Sequence, residues 1–514
     1  MLLISIVLQP TNMRINCSRK FKTLLLCCIV SICNLQDTLG QSDVTFDIVL
    51  NGGRVIDPDT KLDALRNVGI LKGRIAEIST NKLVGHKIID ATGLIVAPGF
   101  IDLHVHGISN KEQEYQLHDG VTTALELEVG VPFAKDWYAS RESKALINYG
   151  SSVSWPYKRA EVMEGHKTRL VQLGKEIKEH GWDQKKIASS LAMPSNYTAL
   201  PSANMTAMLK NIKSALDDGA LGIAVPIGYL PGATLEEVFR VYQLAGELQV
   251  PIISHVRNGG TISIQQAISD AVLTNAPLHI VHVNSMALSE IELAIEMVAT
   301  AQKRGFNITT EMYPYTAGST SLESAVFDEG WQERLGIGYQ DLQWVETGER
   351  LTEKTFGLYR EQGGTVILHL MKPEWIKAGI RTEGTIIASD GMPYAKLAHP
   401  RTAGTFARVL GKYVREDKVL NLPIALEKMT FLPAKMLERV APMMRFKGRV
   451  QVGADADITI FDPEHIRDKA TFENGLDYSE GIRFVLINGT LVLEEGDILE
   501  NVYPGQPIIG RYKK

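Results

Sequence analysis

Cysteine is scarce and confined: Cys17, Cys27, Cys28 and Cys33 are the only four in 514 residues, and all lie in the first 33. Beyond Cys33 no thiol is available as ligand, nucleophile or cross-link. Charge of one sign is equally scarce. Lys and Arg total 54 against 59 Asp and Glu, a formal net charge of −5, and no basic stretch interleaved with aromatics occurs, so there is no electrostatic case for nucleic-acid binding. Long hydrophobic runs are missing too. Leu24 to Cys33 is too short for a comfortable membrane span, but it follows Arg14, Arg19, Lys20 and Lys22 and precedes Thr38-Leu-Gly40. That order reads as a secretory signal over residues 1–40 with cleavage after Gly40, so export to a periplasmic or extracellular space is expected, with no span in the mature chain. Repeats and low-complexity segments are absent.

What is present is apolar material for a large core plus a smaller domain, 45% of residues. The most informative stretch is Pro98-Gly-Phe-Ile-Asp-Leu-His-Val-His-Gly107. His104 and His106 stand two apart near the end of a strand-like run, so their rings point the same way and make half of a metal site. Pro251-Ile-Ile-Ser-His255 and Leu278-His-Ile-Val-His282 read as buried parallel strands separated by a helical pattern, and Thr385-Ile-Ile-Ala-Ser-Asp390 is a third such run ending in a carboxylate. In a (β/α)8 barrel the C-terminal strand ends converge on one mouth, where four histidines and an aspartate distant in sequence can meet. Eight strands are expected, around residues 102–106, 122–128, 151–155, 222–225, 252–255, 280–282, 308–312 and 386–390. The long interval before the eighth predicts a lid-like insertion at about 320–375. Alternating apolar stretches with turn pairs occupy both ends, so a small β-sandwich composed of residues 44–98 and 445–514 is expected to flank a barrel over 99–444. His279, three residues before His282, is expected to face the surrounding helices.

Residues 98–106, Tyr313-Pro-Tyr-Thr-Ala-Gly-Ser-Thr-Ser-Leu322, Ser389-Asp-Gly391 and His399-Pro-Arg-Thr-Ala-Gly-Thr-Phe406 resemble the amidohydrolase superfamily and, within it, the N-acyl-D-amino-acid deacylases or D-aminoacylases. The likeness covers roughly residues 44 to 510. It implies the same barrel and sandwich, and zinc, one or two ions per chain, held by His104, His106, His255, His282 and Asp390. It also implies that Asp390 is general base and that the substrate is a small molecule with a carboxylate clamped by Arg401. Tyr229, Tyr313 and Ser319 match family positions that contact substrate; Arg257, two beyond His255, is a further candidate. Three departures stand out. The strand-four lysine and the strand-two cysteine that bridge metals in such proteins are both missing, and Asn284 replaces a frequent lysine. Strand two offers Glu126 and Glu128 instead, two carboxylates on one face, costly to bury unpaired. Glu128, nearer the C-terminal end, is the expected bridging ligand with Glu126 in support; an ion pair with a basic residue is the alternative. The expected reaction is hydrolysis of an N-acyl bond, with cyclic amides or other N-acyl compounds as the competing substrates and a non-catalytic binding protein as the competing class.

Overall fold

The computed structural model describes residues 44–183, 187 and 189–512; the expected signal over 1–40 lies outside them. Eight parallel strands run in chain order around one sheet: Phe100–Asp102, Val121–Val131, Asn148–Ser154, Ile223–Pro226, Ile252–His255, Leu278–Ile280, Ile308–Met312 and Ile386–Ile387. Most are fully buried, as strands covered on both faces must be. The eighth and first strands close the barrel through a parallel bridge from Val105 to Gly391, where His106 N donates to Gly391 O at 2.8 Å and Asp390 N to His104 O at 2.7 Å. Helices such as Leu235–Leu248, capped by the Thr234 hydroxyl accepting from Glu237 N, form the outer layer.

Strands from both chain ends are hydrogen-bonded into one nine-stranded sheet, joined where Ile95–Pro98 pairs antiparallel with Ile458–Phe461. It encloses its own apolar cluster, including Leu50, Val68, Ile458 and Leu486. A buried polar joint ties it to the barrel. Asp457 accepts from Lys447 Nζ at 2.6 Å, from Asn488 N at 2.6 Å and from Asn148 Nδ2 of the third barrel strand at 2.9 Å.

Between the seventh and eighth strands, Gly318–Ser321, Leu342–Trp344 and Thr365–Leu368 make a separate three-stranded antiparallel sheet. Phe327, Trp331, Trp344 and Phe356 give it a core of its own, with the Trp331 and Phe356 rings stacked 5.3 Å apart. Among the described residues no helix is long and apolar enough to cross a membrane.

Candidate metal centre

At the C-terminal mouth of the barrel, donor atoms of His104, His106, Glu128 and Asp390 lie within 4.8 Å of one another, as do those of Glu128, His255 and His282. Glu128 belongs to both groups. Its Oε2 sits 3.1 Å from His104 Nε2 and 3.3 Å from His106 Nε2, while its Oε1 sits 2.9 Å from His255 Nδ1 and 3.1 Å from His282 Nε2. Asp390 Oδ1 is 3.4 Å from His104 Nε2 and 3.3 Å from His106 Nε2. Tetrahedral bonds of about 2.0–2.1 Å put neighbouring ligands roughly 3.3 Å apart, so these separations fit ions at the two centres.

Local backbone explains how Glu128 reaches that position. From Glu126 to Val131 the second strand advances five residues while the third advances two, Ser151 to Val153, a bulge that lifts Glu128 into the mouth. Gly130 turns the bulge at φ 69°, and a Cβ there would lie 2.6 Å from Ser152 O. His282 at φ 33° and Asp390 at φ 53° also occupy the left-handed region, rare for residues with side chains and common where function holds them.

The electrostatics point the same way. Burial opposes charge on His104, yet Asp390, Glu128 and Glu311 hold that imidazole well above its usual pKa. Burial likewise opposes ionisation of Glu128, but His104, His106 and His255 hold it well below the carboxylate range. The carboxylates thus draw protons onto the rings in the space between the ligands, a demand for positive charge that a divalent cation meets. Nitrogen and carboxylate oxygen, without sulfur, make up the whole donor set.

Behind the ligands stand two groups missed in the sequence. Glu311, in the seventh strand, places Oε1 2.6 Å from His104 Nδ1 and Oε2 3.0 Å from His279 Nε2. His279 therefore faces the barrel interior, contrary to expectation. Counting three residues back from His282 assumes a continuous strand, but the strand ends at Ile280 and the left-handed turn at His282 breaks the alternation. Glu311 was findable as the lone carboxylate in Ile308-Thr-Thr-Glu-Met312. Glu126 Oε2 lies 2.8 Å from His106 Nδ1.

The centre opens into a solvent-facing cleft lined also by Tyr229, Arg257, Tyr313, Ser319 and Arg401. Arg401 is 1% exposed and lies over the Tyr313 ring, 4.5 Å from its centroid. Its Nη2 meets Asp390 Oδ1 at 2.9 Å, while Nε and Nη1 are buried without a hydrogen-bond partner. Burial and the Glu128 charge raise the Tyr229 phenol, and burial pushes Tyr313 up to about 12. Tyr229 shares a hydrogen bond with Thr320 at 2.9 Å, and Ser319 donates to Val366 O at 3.1 Å. Arg257 is half-buried and donates to Ala233 O at 3.2 Å. Asn284 is buried and donates to the backbone Tyr313 O at 3.2 Å. The insertion forms the roof with Ala325, Val326, Leu335, Leu368 and Leu370.

No family model matches the chain. It is similar to D-aminoacylase of Alcaligenes xylosoxydans xylosoxydans, 28% identical over 479 residues that cover 89% of this chain and 96% of that protein. N-acyl-D-glutamate deacylase of the same organism is 28% identical over 488 residues, covering 87% of this chain and 94% of that protein. A crystal structure of N-acyl-D-glutamate deacylase from Bordetella bronchiseptica, complexed with zinc and a phosphonate mimic of the reaction's tetrahedral intermediate, shares the fold. Its TM-score is 0.76 at 24% identity, over 91% of this chain and 100% of that one.

Proposed function

We propose, from the premise that the chain is a D-aminoacylase-like member of the amidohydrolase superfamily, that it hydrolyses N-acyl-D-amino acids to a carboxylate and a D-amino acid, with zinc at one or both centres. The observation that carries this reading is one shared cleft, in which the imidazole and carboxylate cluster faces an arginine with two unpartnered buried nitrogens. The residues that would hold a divalent ion are His104, His106, Glu128, His255, His282 and Asp390, and such an ion would supply Lewis acidity for a carbonyl oxygen and for water.

The protein's own groups supply the rest. Arg401 and His104 keep the Asp390 carboxyl below its ordinary pKa against the effect of burial, so it is ionised and able to accept a proton. It takes that proton from the attacking water and delivers it to the departing amine nitrogen. The Arg401 guanidinium, with Nε and Nη1 free of partners and Nη2 shared with Asp390, is the cation for the substrate carboxylate, with planar donors that an ammonium lacks. Tyr229 and Tyr313 stay protonated across the neutral range and donate to oxygen as it gains charge. Ser319 and Arg257 add polar contacts along the cleft wall. The basic and apolar order of residues 14–40 supports export of the enzyme.

The deciding experiment is a panel of N-acyl-D- and N-acyl-L-amino acids offered to zinc-loaded protein. Release of free D-amino acid with little turnover of the L series is the expected result. Turnover of cyclic amides alone would move the reading to the competing substrate class.

A further inference from the structure

Two arginines face the cleft from different sides of the metal centre. Arg401, after the eighth strand, stands beside Asp390 and reaches Ser319 O, in the first strand of the roof, at 3.4 Å. Arg257 follows the fifth strand, two strands away from the eighth across the sixth and seventh. It belongs to the His255 side: a Cβ at Gly228 would lie 2.7 Å from the His255 ring and 3.0 Å from Arg257 O. Arg257 is a cation without an anion. Its Nη2 donates to Ala233 O at 3.2 Å, its Nε is buried with no hydrogen-bond partner, and among the described residues no carboxylate oxygen comes within 4.0 Å of it. Burial lowers its pKa; Asp270 and Glu237 oppose this from farther off, and Glu237 is already paired with Arg159 Nε at 2.6 Å. Outside the metal centre every charged side chain lining the cleft is an arginine, and the third, Arg334, spends its terminal nitrogens on the carbonyls of Val326, Asp328 and Glu329. A partly buried guanidinium with an unmade hydrogen bond is costly unless a ligand completes it. There is room for one: Gly260 lines the cleft three residues on, and a Cβ there would meet nothing within 4 Å.

Covalent geometry decides which part of an N-acyl-amino acid reaches that end of the cleft. A trans amide sends the Cα on nitrogen and the first carbon of the acyl chain to opposite sides of the C–N bond. With the α-carboxylate at Arg401 and the departing nitrogen at Asp390, the amino-acid side chain lies by the roof. The acyl chain then runs from the carbonyl toward the His255 side, where Arg257 stands. We propose that Arg257 is the anion subsite for the acyl half, and that the protein takes N-acyl-D-amino acids whose acyl group itself ends in a carboxylate, such as a succinyl group. The proposal rests on the deacylase reading given above. The bond broken is the same C–N bond: the oxygen of water joins the acyl carbon, the amine nitrogen takes up a proton, and a dicarboxylate and a D-amino acid leave.

The test assays full-length, zinc-loaded protein on N-succinyl-D-leucine and on its N-succinamoyl analogue, in which the terminal carboxylate is replaced by a carboxamide of the same size. N-acetyl-D-leucine runs alongside. The succinyl compound is expected to exceed the succinamoyl one by about 10- to 100-fold in kcat/KM, the range of a charge-assisted pair. Arg257→Gln should bring that ratio close to one, whatever it does to the N-acetyl compound. The wild-type ratio needs no variant, so a misfolded Arg257→Gln protein does not shelter the proposal: a wild-type ratio near one overturns it. A preference that survives in Arg257→Gln overturns it as well. A second pair, N-acetyl-D-glutamate and N-acetyl-D-glutamine, separates the two sources of an anion. A strong preference for the glutamate compound that Arg257→Gln removes places the arginine against the amino-acid side chain and overturns the acyl assignment. Turnover of N-acetyl-D-leucine without a succinyl preference defeats this proposal alone, whereas release of D-leucine from none of the three compounds defeats the deacylase reading and this proposal with it.

Discussion

Asp390 combines three burdens in one residue: a left-handed backbone, a buried carboxylate and contact with both His106 and Arg401. Such a backbone costs about 1–3 kcal/mol, a cost tolerated where surrounding structure over-determines it. Asp390→Asn should keep the fold and some metal yet lose about a thousandfold or more in kcat, because both proton transfers fail. Steady-state kinetics beside metal analysis checks this, and near-normal turnover would remove Asp390 from the mechanism. Arg401→Ala should act mainly on KM, costing about 2–4 kcal/mol or roughly 30- to 1000-fold in kcat/KM, with Arg401→Lys restoring little. The check compares an N-acyl-D-amino acid with its carboxamide; wild type should prefer the acid strongly and the alanine variant should not. At this scale the sequence was informative where a functional residue ends an apolar run, as His255 and Asp390 do. It was silent where side-chain direction depends on a strand's last residue, which is why His279 was assigned to the wrong face. Which strand-two glutamate stands between the two groups followed from its depth along the strand, but the bulge that puts it there was not legible, since its register is set by the neighbouring strand.

The helix Arg401–Arg408 shows how a single element places its first residue. It is interrupted at Gly404 (φ −145°, ψ 15°), and past the break the carboxylate of Asp119 accepts from Phe406 N at 2.7 Å and Ala407 N at 2.9 Å. Ser479 donates to the same carboxylate at 2.8 Å, so the broken helix is capped from inside the fold. A Cβ at Gly404 would lie 2.6 Å from Asp468 Cβ and 2.9 Å from the Tyr315 hydroxyl. Asp119→Ala leaves two buried backbone donors bare, at about 1–3 kcal/mol each, and Gly404→Ala overpacks the bend by a similar amount. Both should lower the midpoint of urea unfolding. Both should also raise KM more than they lower kcat, since Arg401 begins this helix; an unchanged KM would mean that the arginine is placed by its other contacts. The motif around His399 to Phe406 was visible in the sequence, but its kink was not. Helical propensity reports the average path of a segment, and the break depends on a carboxylate almost 300 residues away.

For the molecule as a whole, the eight strands and the pairing of both chain ends were legible because apolar runs and turn pairs recur at regular intervals. The polar joint between the nine-stranded sheet and the barrel was not, because it unites Asn148, Lys447, Asp457 and Asn488 from distant segments. Lys447 is 3% exposed and faces both Asp457 at 2.6 Å and Asp455 at 3.2 Å. Lys447→Met removes the buried cation between two carboxylates, leaving Asp455 to Arg74 at 3.2 Å and Asp457 to neutral donors, and should cost about 3–5 kcal/mol by chemical denaturation; loss of less than 1 kcal/mol would show that the joint relaxes. The seam between the first and eighth barrel strands carries a further consequence. His104 and His106 sit on one side of it and Asp390 on the other, and the hydrogen bonds that zip it shut belong to these three residues themselves. An ion held by all three would be a rivet across the last joint of the barrel, so metal uptake should report on how often that joint breathes. Backbone amide exchange at His106 and Asp390 should slow on adding zinc, while amides of the third and fourth strands, far from the rivet, keep their rates.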